Sequence, residues 1–269
     1  MYRHVVRITW IFLFSLAIFG CAGPDSGTDT DKPSTPRAAP APAPADTTTA
    51  PKLVEREFPL LNNDNIEEFL MEYFKANPER RILVSTPLGD MKVRLYDDTP
   101  LHTANFLMLV KREYFNGTEF TRIIDDFIVQ GGNNESETEE IKRILIGSYL
   151  IPAEFRPQNI HKKGVLSMAR RYEDNPEKRS AAYNFFFVDG RTFNEPQLLM
   201  LERDHDMSIP EWKREVYKTV GGAPHLDGQH TVFGEIYEGL DVLEKLSAVE
   251  TDEVDWPLSP LPVEMSVIE

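Results

Sequence analysis

An arginine and a glutamine interrupt an otherwise apolar stretch of this chain, and their side chains could do chemistry. The stretch runs from Phe120 to Asn133 and reads F-T-R-I-I-D-D-F-I-V-Q-G-G-N, with Arg122 and Gln130 as its polar interruptions. A strand that buries its apolar residues gains nothing in packing from an arginine, so Arg122 either faces solvent or has a function. A guanidinium is always charged and presents several N–H donors in a rigid fork, which suits the stabilisation of a polarised reacting group.

The pattern of the same stretch predicts the local structure that would position both side chains. Apolar clusters at Ile123-Ile124 and Phe127–Val129 flank Asp125-Asp126, and Gly131-Gly132 ends the segment. Two apolar runs separated by a short polar turn are typical of paired strands. We therefore expect the arginine on the first strand and the glutamine on the second.

Four segments of the chain resemble the signature of the cyclophilin-type peptidyl-prolyl isomerases and follow in the family's order. The first is the stretch above, which is similar to the family pattern F-H-R-I-I-x-x-F-x-x-Q-G-G-D. The others are Gly164–Arg170 (G-V-L-S-M-A-R), Ser180–Gly190 (S-A-A-Y-N-F-F-F-V-D-G) and Pro224–Gly234 (P-H-L-D-G-Q-H-T-V-F-G). One such segment would be a weak signal, whereas four in order are a strong indication of the family.

The resemblance implies a reaction and a role for each matching residue. The reaction is rotation of an X–Pro amide, which costs about 20 kcal/mol because the C–N bond is partly double, and which requires no nucleophile. Arg122 matches the catalytic arginine that stabilises the twisted amide, and Gln130 matches the glutamine that holds this arginine and the substrate backbone. Together with Phe127, these are the residues on which turnover should depend most. The matching proline-pocket residues are Phe127, Ile128, Phe186 and Leu226, with His230 at the floor of the pocket. The positions that match the neighbouring peptide groove are Ala169, Arg170 and Asn184.

Some matching positions differ from the family pattern, and from the residues alone most of the apolar ones would be interpreted as core. Thr121 replaces the histidine before the arginine, and Asn184 replaces a glutamine that is one methylene longer. Arg170 replaces an asparagine. His225, one of the predicted substrate-binding residues, replaces a tryptophan that many eukaryotic members use to grip cyclosporin, so we predict weak inhibition by cyclosporin.

Composition and motifs argue against other classes of function. The 269 residues carry a formal net charge of −15, which disfavours non-specific binding to nucleic acid or to an anionic bilayer through charge. Cys21 is the only cysteine, so no intrachain disulfide can form. A Ser-His-Asp order, an H-E-x-x-H motif, a phosphate loop and a C-x-x-C pair are missing from the sequence, and we expect no cofactor and no metal. The Asp204-His205-Asp206 triplet lacks further ligands at useful spacing and is interpreted as a solvated loop.

The first 57 residues resemble export and tethering segments. Residues 1–20 contain a basic start and the apolar run Ile8–Phe19, which is too short to span a bilayer as a helix and is typical of a signal peptide. Cys21 follows in a sequence that resembles a bacterial lipobox, so we expect a lipid-anchored protein of the cell envelope, or a secreted or periplasmic one if Cys21 is not lipidated. Residues 21–57, rich in Pro, Ala and Thr, are expected to be a disordered linker.

Beyond the linker, hydrophobic patterns predict a helical extension over residues 58–79 and one domain over residues 80–269. Asn62–Lys75 has helix-spaced apolar residues and an acidic start, which predicts a helix on the outside of the domain. Alternating patterns then predict strands, and residues 191–221 depart from short family members with two added helices that would mainly pack and partly form a rim. Asn133–Arg143 is highly charged and is interpreted as a solvated loop.

Together these patterns predict a mainly β fold, a closed antiparallel cyclophilin-like β-barrel of about eight strands with capping helices and a helical insertion. The expected function is peptidyl-prolyl cis–trans isomerisation during the folding of exported proteins, with proline-containing polypeptides as clients and a monomeric enzyme. Two alternatives remain: a proline-peptide binding module without useful turnover, and a structural envelope lipoprotein with a vestigial pocket.

Overall fold

Eight strands close into an antiparallel barrel within the residues that the computed structural model describes, 58–132 and 136–269. The barrel strands are β1 (Arg81–Thr86), β2 (Gly89–Leu95), β3 (Thr118–Ile124), β4 (Ile128–Gly131), β6 (Val165–Met168), β8 (Phe185–Val188), β9 (Val232–Glu238) and β10 (Pro262–Ile268). A separate two-stranded sheet pairs β5 (Leu150–Ile151) with β7 (Ser180–Ala181). Around the barrel the order is β1-β10-β3-β4-β8-β6-β9-β2, which confirms the predicted fold class. The predicted signal peptide, Cys21 and the linker to residue 57 lie outside the described residues.

Helices cover the barrel, and one short 3₁₀ turn lies beside it. The helices are α1 (Ile66–Ala76), α2 (Pro100–Lys111), α3 (Glu137–Ile146), α4 (Glu195–His205), α5 (Glu211–Thr219) and α6 (Leu240–Ser247), and the 3₁₀ turn is Pro224–Leu226. Every residue of α2 from Leu101 to Val110 is buried, so this helix forms part of the core. Over the described ranges, none of the helices is both long and apolar enough to cross a membrane.

The strand β8 shows how the barrel acquires a second apolar face. All four of its residues, Phe185 to Val188, are buried, although successive side chains of a strand point to opposite faces. Phe185 and Phe187 join the large core inside the barrel, whereas Phe186 and Val188 join a separate apolar cluster on the outer side. The neighbouring β4 divides in the same way, with Val129 inside and Ile128 outside. The outer cluster is the apolar surface on which a site can be built.

A β-bulge in β3 turns Arg122 away from the core. Phe120 pairs with Gly131 and Arg122 pairs with Gln130, so Thr121 is an extra residue on this strand. Phe120 and Ile123 are both buried in the barrel core, a spacing of three that a regular strand could not satisfy. The bulge absorbs the extra residue and re-aims the side chains on either side of it.

Two expectations about local structure were wrong. The charged segment Asn133–Arg143 was expected to be a loop, but α3 begins at Glu137, where Ser136 accepts a hydrogen bond from the backbone N–H of Glu139 (3.4 Å). The S-x-x-E spacing of Ser136 and Glu139 is a helix-start signal that was overlooked, and acids in the first turn favour the helix. The triplet at residues 204–206 was also expected to be a loop, but α4 continues to His205, and Asp206 caps it with a left-handed backbone (φ +48°).

The insert contains the two predicted helices, and its two ends meet at a close backbone contact. Gly190 has φ +61°, and a Cβ there would lie 2.4 Å from the Cα of Gly222. Only glycine fits both the backbone angle and this approach. Beyond this contact, α4 and α5 enclose a small core of their own with Phe193, Leu198 and Tyr217. The insert is therefore fixed at its base and packed internally.

Candidate active site

A row of side chains crosses four adjacent strands of the barrel on its outer face. Arg122 of β3 pairs with Gln130 of β4, Gln130 pairs with Phe186 of β8, and Phe186 pairs with Ser167 of β6. Directly paired residues on neighbouring strands have their side chains about 5 Å apart. The fold therefore aligns the arginine and the glutamine, which are eight positions apart in sequence, with a buried aromatic ring.

The Arg122 side chain is half exposed and oriented by an acid from a distant part of the chain. Its Nε donates to Oδ2 of Asp255 at 3.2 Å. Asp255 follows β9 and α6, and 133 positions separate the two residues. With Nε engaged in this way, the two terminal nitrogens of the guanidinium remain as the donors best placed for a bound peptide.

An apolar cluster, here called the proline pocket after its predicted role, adjoins the row that contains the arginine. Its buried members include Ile128, Phe186 and Leu226, and Phe127 and Ala169 pack against them at the edge. Ile128 comes from β4, Phe186 from β8 and Leu226 from the 3₁₀ turn, so three separate segments supply the walls. An apolar surface beside a fixed cation can hold a pyrrolidine ring and leave the adjoining amide within reach of the guanidinium.

His230 lies against Phe186 as a neutral ring. The two ring centres are 5.3 Å apart and nearly perpendicular. Nδ1 of His230 donates to the carbonyl oxygen of Met168 (3.0 Å), which leaves Nε2 to accept from the hydroxyl of Tyr172 (2.8 Å). Burial is the main cause that lowers the pKa of His230 to about 4. The histidine therefore adds an uncharged aromatic surface near neutral pH.

His225 stands where the family often has a tryptophan, and its ring stacks on two other rings. The centre of its imidazole lies 5.3 Å from the centre of the Phe127 ring and 5.2 Å from the centre of the His205 ring. His205 belongs to α4, so the insert reaches the rim of the pocket. Burial first, and then the neighbouring His205, lower the pKa of His225 to about 4.

The residues predicted for the peptide groove are not all in one place. The backbone N–H of Ala169 donates to the carbonyl of Asn184 (2.9 Å), so these two are neighbours. Asn184 also lines a larger hollow of about 750 Å³ together with Leu60, Ile144 and Tyr183. Arg170 instead turns toward Gln229, whose carbonyl oxygen accepts from its Nε at 2.6 Å, and its guanidinium lies 4.1 Å from the centre of the Tyr172 ring.

Sequence reasoning missed residues that support the site from elsewhere in the chain. Asp255 and Tyr172 contact Arg122 and His230, and neither lies in a pattern that would have revealed this. His161 stacks on Phe186 with ring centres 6.3 Å apart, and its backbone N–H donates to Asp227 (2.9 Å). Asp227 directly follows the pocket residue Leu226, and this adjacency is the only local signal that could have pointed to it.

The fold is a closed antiparallel β-barrel with an arginine and an apolar cluster on its outer face, and comparison with known proteins identifies its class. The family described as "Cyclophilin type peptidyl-prolyl cis-trans isomerase/CLD" matches residues 81–267. A Staphylococcus saprophyticus protein named for peptidyl-prolyl cis-trans isomerases is 33% identical over 187 residues, which is 69% of this chain and 90% of that protein. A similarly named Staphylococcus haemolyticus protein is 31% identical over 192 residues, 71% of this chain and 92% of the relative.

Solved structures share the fold. The crystal structure of a Cryptosporidium parvum cyclophilin-type peptidyl-prolyl cis-trans isomerase matches with a TM-score of 0.50 and 21% identity, covering 71% of this chain and 98% of that one. The chain belongs to the cyclophilin-type peptidyl-prolyl cis–trans isomerases. It is accordingly an enzyme that accelerates rotation about X–Pro bonds.

Proposed function

We propose that Arg122 is the catalytic residue and that it acts by binding the twisted X–Pro amide better than the planar one. The observation that carries this proposal is the row in which Arg122 and Gln130 adjoin the buried ring of Phe186. In the twisted state conjugation is lost, and the proline nitrogen becomes a better hydrogen-bond acceptor. A fixed, charged donor beside that nitrogen stabilises the transition state selectively.

The proline ring binds in the apolar pocket. Ile128, Phe186 and Leu226 provide its buried surface, and Phe127 covers the edge. His230 and His225 remain neutral near pH 7, so neither adds a charge that would repel the guanidinium or attract water. Each buried methylene of the ring contributes about 0.8 kcal/mol, which holds the prolyl side of the bond while the other side rotates.

The polar groups around the pocket hold the flanking backbone. Gln130 lies opposite Arg122 and offers both an amide donor and an amide acceptor to the guanidinium and the peptide. Ala169 and Asn184 line the neighbouring groove, and Arg170 contributes through its backbone because Gln229 and Tyr172 engage its side chain. Holding one side of the X–Pro bond in a fixed orientation lowers the barrier to rotation of the other side.

The enzyme works at the bacterial cell envelope on exported proteins. Support for this location comes from the signal-like residues 1–20, the lipobox-like Cys21 and the Pro- and Ala-rich linker to residue 57. A lipid at Cys21 and the linker would hold the isomerase near a membrane, where it would meet unfolded chains with slow X–Pro bonds. The isomerase would act there as a monomer. Replacing Cys21 by serine and measuring the membrane-bound fraction and the mass of the N-terminal peptide tests the anchor.

The central experiment compares the full-length protein, purified in detergent, with Arg122→Ala and Arg122→Lys. Exchange of a short X–Pro peptide is measured by NMR. We expect Arg122→Ala to lower kcat/KM by about 10²- to 10³-fold, and Arg122→Lys to recover only part of the loss because it has no fork. Arg81→Ala, an exposed arginine on β1, is the matched control and should keep its activity.

The same experiment separates catalysis from mere binding. If the wild type accelerates exchange and Arg122→Ala does so equally well, Arg122 is not the catalytic residue. If the wild type shifts the peptide signals without accelerating their exchange, the chain is a proline-peptide binding module, and Thr121 and Asn184 become the residues to restore to the family pattern.

A further inference from the structure

A second hollow, here called the insert pocket, shares a wall with the proline pocket. It encloses about 260 Å³. Phe127 and His225 line it from the proline-pocket side, Arg191, Phe193 and Leu201 from the insert, and Asp125 and Asp126 from the turn between β3 and β4. Short family members without residues 191–221 would not have the insert wall. The pocket is therefore a feature of this chain's insertion, and it adjoins the candidate active site at Phe127 and His225.

Backbone contacts hold the insert pocket in shape. The carbonyl oxygen of Phe127 accepts hydrogen bonds from the N–H groups of Asp189 (3.0 Å) and Gly190 (3.1 Å), which ties the acidic turn to the base of the insert. Asp126 has a left-handed backbone (φ +58°), and its N–H donates to Oδ1 of Asp125 (3.1 Å). The two acids are thus presented from a fixed turn.

The charges of the insert pocket are unbalanced toward the acidic side. Carboxylate oxygens of Asp125, Asp126 and Asp189 lie within 4.8 Å of one another. Asp189 is buried and paired with Lys163, whose Nζ lies 2.8 Å from its Oδ1. Asp125 and Asp126 are exposed, and in the described part of the chain neither forms an ion pair. Two carboxylates therefore remain available at the mouth of the pocket.

We propose that the insert pocket binds the side chain of an arginine or lysine close to the target proline of the client. Phe127, Phe193 and Leu201 offer apolar surface to the methylene stem, and Asp125 and Asp126 receive the charged head. This assignment deepens the isomerase function proposed above and rests on it. A metal ion is a poorer occupant, because the Lys163 ammonium lies against the third carboxylate and much of the wall is apolar.

Arg191 should weaken the preference for a basic client side chain, and replacing it provides a second test of that preference. Its guanidinium lies 5.3 Å from the centre of the Phe193 ring, on the insert side of the pocket. A positive charge there opposes a cationic client side chain. Removing it in Arg191→Gln should therefore increase the preference for basic clients, whereas removing the acids should abolish it.

The test uses full-length protein in detergent and peptides with one constant X–Pro pair. Arginine, norleucine or glutamate is placed in turn at each of the two positions on either side of that pair, and kcat/KM is measured by NMR exchange at low salt. At one position we expect arginine to exceed norleucine by about three- to tenfold, and the ratio to fall with added salt. The double variant Asp125→Asn/Asp126→Asn should bring the ratio close to one, and asparagine tolerates the left-handed backbone at residue 126.

The matched control is Glu173→Gln/Asp174→Asn, which removes the same charge from another exposed acidic pair with a left-handed residue (Asp174, φ +50°). It should keep the arginine preference. Equal ratios in the wild type and the Asp125/Asp126 variant, or a preference abolished by EDTA, would overturn the proposal. Failure of the isomerase assignment would appear separately, as no acceleration of exchange in the norleucine peptide. The preference for arginine would then be measured as a difference in peptide affinity by titration.

Discussion

Arg122 and Asp255 form a partly exposed ion pair at the candidate active site, with 3.2 Å between Nε and Oδ2. The acid is held in place by its own turn: its carbonyl accepts from the N–H of Ile123 (2.9 Å), next to the arginine, and its backbone is left-handed (φ +67°). Oδ1 of Asp252 accepts from the N–H groups of Val254 and Trp256, at 2.9 Å each, and closes the turn. The catalytic candidate is thus oriented by a loop outside the barrel.

Replacing Asp255 should reduce turnover by a modest factor. Partly exposed ion pairs contribute about 0.2–1 kcal/mol, so Asp255→Gly should lower kcat by about 1.4- to fivefold with little change in KM. Asp255→Asn keeps an acceptor for Nε and should lose less. Both residues tolerate the left-handed backbone, so steady-state kinetics can be compared in folded enzymes. An unchanged kcat in Asp255→Gly would show that Arg122 is oriented without the acid.

Acid should destabilise the protein through His230. Its pKa is about 4 in the folded state against an ordinary 6.5, so between these values the unfolded chain binds the proton more tightly. The contribution of neutral His230 to the free energy of unfolding is therefore fully present above about pH 6.5. It is lost as pH decreases toward 4, and the loss is on the order of 3 kcal/mol.

The measurement for His230 is urea unfolding at pH 7.5 and pH 5 in the wild type and in His230→Gln. Glutamine can donate to Met168 and accept from Tyr172 but does not titrate. The free energy of unfolding should fall less between the two pH values in the variant than in the wild type. Equal losses in both proteins would assign the acid sensitivity to other groups.

Asp227 should be essential for stability, because it joins the insert to the pocket. Its carboxylate accepts from the hydroxyl of Tyr217 (2.9 Å), from Nζ of Lys213 (2.8 Å) and from the backbone of His161 (2.9 Å). Burial raises the pKa of Asp227, but the contacts with His161 and Lys213 outweigh burial and lower it overall. Asp227→Ala leaves these buried donors without an acceptor and should cost about 3–5 kcal/mol in urea unfolding.

Asp227→Asn is the graded variant and should cost less, since one oxygen still accepts. Asp241→Asn, at an exposed acid that pairs with Lys245 in α6, is the control and should change the midpoint little. If Asp227→Ala unfolds at the wild-type urea concentration, the insert and pocket are held together by apolar packing alone.

Cyclosporin should inhibit this enzyme weakly, and the cause should be His225. Its imidazole offers less apolar surface than the tryptophan of many family members, and it is already stacked against Phe127 and His205. His225→Trp, with His205→Ala to make room, should lower the inhibition constant at least about tenfold, since a buried indole adds much apolar area. His205→Ala alone is the control. A tight, stoichiometric inhibition curve for the wild type would contradict the prediction.

The sequence by itself determined much of the architecture around the site. Apolar alternation located the strands that hold Arg122 and Gln130, and the glycine pair after them ends β4 where a Cβ on Gly132 would lie 2.3 Å from the carbonyl oxygen of Tyr183. The helices of the insert could also be predicted from the sequence, because their periodicity and caps are local properties. Local patterns report which element forms, and matching motifs reported which barrel the elements build.

Only the tertiary structure decided how the side chains meet. The bulge at Thr121 depends on strand pairing and so has no local signal, yet it aims Arg122 outward. The Arg122–Asp255 pair joins residues 133 positions apart, and the stack of His205 on His225 depends on how the insert folds back. Contacts between distant segments follow from the packing of whole elements, because the periodicity of a segment specifies its buried face but not the partner that covers it.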